Sequence, residues 1–84
     1  MKGTTRSIDD QGTIVTLWVG TPTVYNGQWV TRDIPVHFDH RMFQHLVGAR
    51  GDRGILGQEV EILEAFPSEG SGLTVRFLDE EDGQ

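Results

Sequence analysis

Residues 13–39 read TIVTLWVGTPTVYNGQWVTRDIPVHFD, and this stretch decides the fold. Asn26-Gly27 is the strongest short hairpin signal, because a type I′ turn needs positive φ at both central residues. Pairing outward from that turn makes partner numbers sum to 53. Val19 then faces Ile34, Leu17 faces Val36 and Val15 faces Phe38. Three apolar residues on one strand meet three on the other, all on one face, so that face is expected to be core. Pro22 and Pro35 interrupt the two strands. Proline has no amide to give a ladder, which places both at an edge, a bulge or a solvent-facing position.

The regions that flank the hairpin are read in the same way. Met1 to Gly12 is polar and aperiodic, which predicts a loosely ordered N-terminus. Asp39 has the position and chemistry of a helix N-cap. Phe38 before it and Phe43 after it have the spacing of a hydrophobic staple. Met42, Phe43, Leu46 and Val47 share one helical face, and Gly48 is placed to end the helix. Gly48, Gly51, Gly54 and Gly57 recur every third residue, and Ala49 to Gly54 is expected to be a flexible loop. Ile55 to Phe66 predicts a third strand with Leu56, Val60 and Ile62 inward. Pro67 to Gly72 is a loop by composition. Leu73 to Leu78 predicts a fourth strand with Leu73, Val75 and Phe77 inward. Asp79 to Gln84 is expected to be a disordered acidic end. The resulting expectation is one mostly β, α+β domain over residues 13–78. Its order is ββαββ: a small antiparallel barrel or curled sheet with one short helix.

Composition narrows the functional classes. The chain has 84 residues, no cysteine and a net charge of −6. Such a length supports a single domain whose core must be used efficiently. Without cysteine there is neither a disulfide nor a thiolate metal site. The N-terminal residues contain no apolar run, so neither a secretory signal nor an anchor is expected, and a cytoplasmic protein is the simplest expectation. Charge is unevenly placed: residues 58–84 carry eight acids against Arg76 alone. That acidity disfavours approach to nucleic acid and to anionic lipid, so no membrane partner is expected.

Three constellations could carry function. The register puts Trp18 and Trp29 on the face opposite the core, together with Ile14, Thr16, Val24 and His37. Left exposed on a ribbon, these indoles suit either a protein partner or base stacking; a sheet that curls as a barrel does at its corners would instead bury both. Arg32, Arg41, Arg50 and Arg53 could supply forks for phosphate, and a glycine-rich loop could add amides. Neither Gly-x-x-x-x-Gly-Lys-Ser/Thr nor Gly-x-Gly-x-x-Gly occurs, however. Arg50-Gly51-Asp52 also spells a cell-adhesion tripeptide. Finally, His37, His40 and His45, with Asp39, are candidate metal ligands, although spacing across a strand and a helix suits solvated side chains better. No serine sits in a nucleophile elbow, so no catalytic residue and no cofactor are expected. The reading that follows is a noncatalytic protein-interaction or assembly module, its partner another protein or a second copy. The alternatives are a nucleic-acid-binding small barrel using Trp18, Trp29, Arg41, Arg50 and Arg53, and a histidine metal site.

Overall fold

Five antiparallel strands and one helix follow the order β1 (Lys2–Asp10), β2 (Ile14–Tyr25), β3 (Gln28–Asp39), α1 (His40–Arg50), β4 (Glu59–Ala65) and β5 (Gly72–Phe77). This computed structural model describes residues 1–65 and 72–80. The strands form one sheet in the order β3-β2-β1-β4-β5. The first three strands meander, and β4 returns after the helix to lie beside β1, which is a Greek-key arrangement. The sheet curls until β5 approaches β3, but among the described residues no ladder joins those two edges, so the curled sheet is the form realised and the barrel stays open.

The hairpin register holds along its full length. Val15 pairs with Phe38, Leu17 with Val36 and Val19 with Ile34. The turn has positive φ at Asn26 (51°) and Gly27 (76°), as a type I′ turn requires. Val15, Leu17, Val19 and Val36 are fully buried, with Ile34 and Phe38 packed against them. Val60, Ile62, Phe77, Phe43 and Ile55 complete this core from β4, β5, the helix and the loop after it.

The N-terminus differs from the sequence expectation. Residues 2–10 are not loose; they form the central strand of the sheet, pairing with β2 on one side and β4 on the other. Apolar periodicity cannot detect such a strand, because its contribution is largely backbone and small side chains. Thr5 is buried and donates its hydroxyl to the Ile55 carbonyl. The Thr5 amide donates to the Gln58 carbonyl at 2.9 Å, and the Gly57 amide donates to the Thr5 carbonyl at 2.9 Å. Gly3 sits where strands crowd: a Cβ there would lie 2.7 Å from the Gly20 carbonyl oxygen. The order is therefore βββαββ.

The helix starts as the sequence implies. The Asp39 carboxylate accepts the Arg41 amide at 2.8 Å, and the Phe38 and Phe43 rings pack edge-on with centroids 5.8 Å apart. It ends later than Gly48. Gly51, at φ 57°, caps it by donating its amide to the Val47 carbonyl. Of the expected apolar face only Phe43 is buried and Leu46 partly so, while Met42 and Val47 are exposed. The glycine-rich stretch is a short 3-10 turn, Gly51–Arg53, rather than a flexible loop. The third expected strand begins at Glu59, not Ile55; Ile55 is buried from the preceding turn while Leu56 is exposed. In β5 Phe77 is buried and Val75 partly so, whereas Leu73 is exposed. Asp79 and Glu80 belong to a 3-10 turn, Leu78–Glu80. The end of the expected third strand at Phe66, most of the Pro67–Gly72 loop and residues 81–84 lie outside the described residues.

Candidate functional site

The hairpin divides into two halves. β1 covers β2 only as far as Gly20, opposite Thr4. Beyond that point β2 has one ladder partner, β3, so Thr21–Tyr25 and Gln28–Arg32 form a two-stranded arm. Five residue pairs at strand rise make it roughly 16 Å long. Pro22 lies in this arm. That explains how a proline fits a strand that is internal elsewhere: the β1–β2 ladder has ended where its missing amide would be needed.

The arm carries apolar side chains in solvent. Val24 is 57% exposed, Tyr25 67% and Trp29 75%, with Val30 exposed as well. Val24 and Trp29 are direct cross-strand partners on the face opposite the core, and Tyr25 and Val30 lie on the other face. Trp18 shares the Trp29 face but is only half-buried, closer to the body of the sheet. The two tryptophans therefore differ: Trp29 is the exposed one.

Next to Trp18 the same face carries a built feature that the sequence did not reveal. The β1–β2 register slips between Thr5 and Ser7, leaving Arg6 in a bulge. A bulge re-aims its side chain. Arg6 lies across Gly20, where any Cβ would collide with it, and reaches Asp33 on β3 at 3.2 Å. Arg6, Ser7, Trp18 and Asp33 line a shallow surface depression. The signal for Val24 and Tyr25 was in the hairpin register itself, followed past Pro22. There was none for Arg6, because its strand lacks apolar alternation.

The four candidate arginines do not converge. Arg32 is exposed on the arm, on the face opposite Trp29. Arg41 is exposed on the helix, lining depressions with Gln44 and His45 on one side and with Thr13 and His40 on the other. Arg50, a candidate phosphate fork by sequence, is buried: it is 2% exposed. Its Nη1 donates to Asp79 at 2.6 Å and to Glu80 at 2.9 Å, its Nη2 to Asp79 at 2.9 Å, and its Nε to the Gly54 carbonyl at 2.9 Å. The guanidinium also stacks 4.0 Å over the Phe77 ring. Arg53 turns back on the helix end, donating to the Arg50 and Ala49 carbonyls. Arg50 and Arg53 thus tie the helix C-terminus to the acids after β5. With Arg50 buried, Arg50-Gly51-Asp52 is not presented as an adhesion tripeptide. The Arg50 hydrogen bond, aided by its charge, holds the Asp79 carboxyl below its ordinary value, and Asp79 in turn raises Arg50.

The histidines are also dispersed. His37 Nδ1 lies 3.0 Å from the Thr16 hydroxyl. His40 Nδ1 is 3.6 Å from an Asp10 oxygen, and its other nitrogen is 3.0 Å from the Gln44 amide. His45 is exposed on the helix. Among the described residues no group of three or more histidines and carboxylates is placed to hold a metal ion. Among them, too, no helix is long and apolar enough to cross a membrane. Comparison with known proteins gives no match to a protein-family model, to a curated protein or to a solved structure.

Proposed function

We propose that this chain is a noncatalytic protein-interaction module whose contact surface is the β2–β3 arm. The observation that carries this reading is the exposure of Val24, Tyr25, Trp29 and Val30 on a ribbon to which, among the described residues, no third strand is laddered. A two-stranded ribbon is marginal alone in water, and apolar residues grouped on one are the usual mark of a contact surface. Tryptophan and tyrosine supply large contact area with few rotatable bonds, which suits them to anchor a partner.

A nucleic-acid reading draws on one observation: an exposed indole on a partly open five-stranded Greek-key sheet, an architecture on which oligonucleotide binding recurs. That likeness is of architecture alone. It loses Arg50 and Arg53, whose donors already serve the helix end and the acids after β5. The acidic charge of −6 opposes it further.

Two experiments test the proposal. Titrating single-stranded DNA and RNA at low salt against tryptophan fluorescence is expected to give no quenching; salt-sensitive binding that Trp29→Ala weakens would replace the proposal with the nucleic-acid reading. A photo-cross-linking residue at position 29 is expected to give protein adducts in the source cells, and one at Gln44 on the helix none. Adducts from the helix alone would move the contact surface away from the arm.

A further inference from the structure

We infer that the partner of the arm is a second copy of this chain, joined edge to edge along β3; this rests on the reading of the arm as a contact surface. The two-residue turn makes Tyr25 and Gln28 a mutually hydrogen-bonded pair. Alternation along the ladder then turns the amides and carbonyls of Trp29, Thr31 and Asp33 away from β2. Gln28 to Asp33 are all exposed, and among the described residues no backbone group from another element meets that edge. Pro35 falls on the same outward phase and ends the free ladder, because it has no amide to offer. On the opposite edge of the arm Pro22 removes the corresponding donor. One side of the arm is thus open to a strand and the other is blocked.

A two-fold axis through Thr31 pairs this edge with itself. Thr31 then faces Thr31 of the second copy, and Trp29 faces Asp33 of the second copy. Asp33 is one wall of the depression it shares with Arg6, Ser7 and Trp18, and that depression lies on the Trp29 face. Each exposed indole therefore lands at the Arg6–Asp33 ion pair of the other copy, where it can cover the guanidinium and its aliphatic stem. On the other face Val30 meets the stem of Arg32. Knob and depression belong to the same surface, so the contact is isologous and closes at two copies. The edge Gln28–Asp33 carries one arginine and one aspartate, Arg32 and Asp33, so it is locally neutral, and Glu59, Glu61, Glu64, Asp79 and Glu80 lie on β4 and the turn after β5. Charge on this edge itself therefore does not oppose pairing with a second copy.

Sedimentation velocity over a concentration series tests the contact, with amide NMR spectra recorded at both ends of the series. The wild-type chain is expected to pass from monomer to dimer, with concentration-dependent shifts at Trp29, Thr31, Asp33 and Arg6. Thr31→Pro removes the central outward amide at a ladder position equivalent to that of Pro35. It is expected to weaken the dimer at least tenfold, and Trp29→Ala, which touches no internal ladder bond, is expected to do the same if the proline variant fails to fold. A chain that stays monomeric up to ~1 mM overturns self-pairing while leaving the arm open to a different protein. A dimer whose shifts fall outside the arm and the Arg6 depression, and which both variants leave intact, overturns self-pairing and the arm reading together.

Discussion

The inner and outer halves of one hairpin share a register and a turn, yet their apolar residues have opposite fates. In the inner half Leu17 and Val36 are 0% exposed, with β1 alongside and the helix and β5 closing over them. In the outer half Val24 and Trp29 are paired in the same ladder and stand in solvent. The difference is set by where β1 stops. The pairing register therefore specifies which residues share a face, and a third element decides which of them are covered.

The sharpest way to break this comparison is substitution at its two ends. Leu17→Ala leaves a cavity in a site that adjoining strands hold open, so denaturant unfolding is expected to show a loss of about 2–5 kcal/mol. Val36→Ala is expected to be costly too, and because the pair is in direct register the two losses are not expected to add. A loss at Leu17 no larger than at Trp29 would erase the distinction between the halves.

The next effect concerns Arg50, the side chain whose role changed most between sequence and structure. Arg50→Met keeps an unbranched apolar stem over Phe77 but removes four hydrogen bonds, so it is expected to cost about 1.5–3 kcal/mol, measured by the same unfolding. The pH dependence follows from Asp79. Its folded value lies below its ordinary one, so its contribution is full above the ordinary carboxylate range and is lost as pH falls through the lowered value. Arg50, raised above an already basic value, stays charged throughout. The melting temperature of the wild type is thus expected to fall more steeply in acid than that of Arg50→Met. Parallel acid limbs would mean that the pair does not stabilise the fold.

Smaller effects refine the account. Asp39→Ala is expected to cost about 1 kcal/mol through the lost cap. Trp29→Ala is expected to change stability by less than about 0.5 kcal/mol, as exposed substitutions do, and calorimetry can read both.

These ranks also mark what the sequence made legible. Asn26-Gly27 and the sum-of-53 register carried through from Val15 to Tyr25, because a two-residue turn fixes pairing locally. Asp39 and the Phe38–Phe43 staple were legible for the same reason: each is a short-range interaction. Strand β1 was not, because it is held by backbone bonds and the buried hydroxyl of Thr5 across fifty or more residues of sequence, with Ile8 its only large apolar side chain. Missing β1 also hid the Arg6 bulge and the depression beside Trp18. The burial of Arg50 was not legible, since its acids, Asp79 and Glu80, lie 29 and 30 residues away. The exposure of the two tryptophans was not legible: the register placed both on one face, and what separates them is the partial cover that β1 gives Trp18.

The most direct test of the two-halves account is the unfolding free energy of a chain in which Val24, Tyr25, Trp29 and Val30 are all replaced by threonine, which keeps strand propensity while removing the apolar surface. The account expects this fourfold variant to unfold within about 1.5 kcal/mol of the wild type. A loss as large as that of Leu17→Ala alone would show that the arm is part of what holds the fold, and would contradict its assignment as a contact surface.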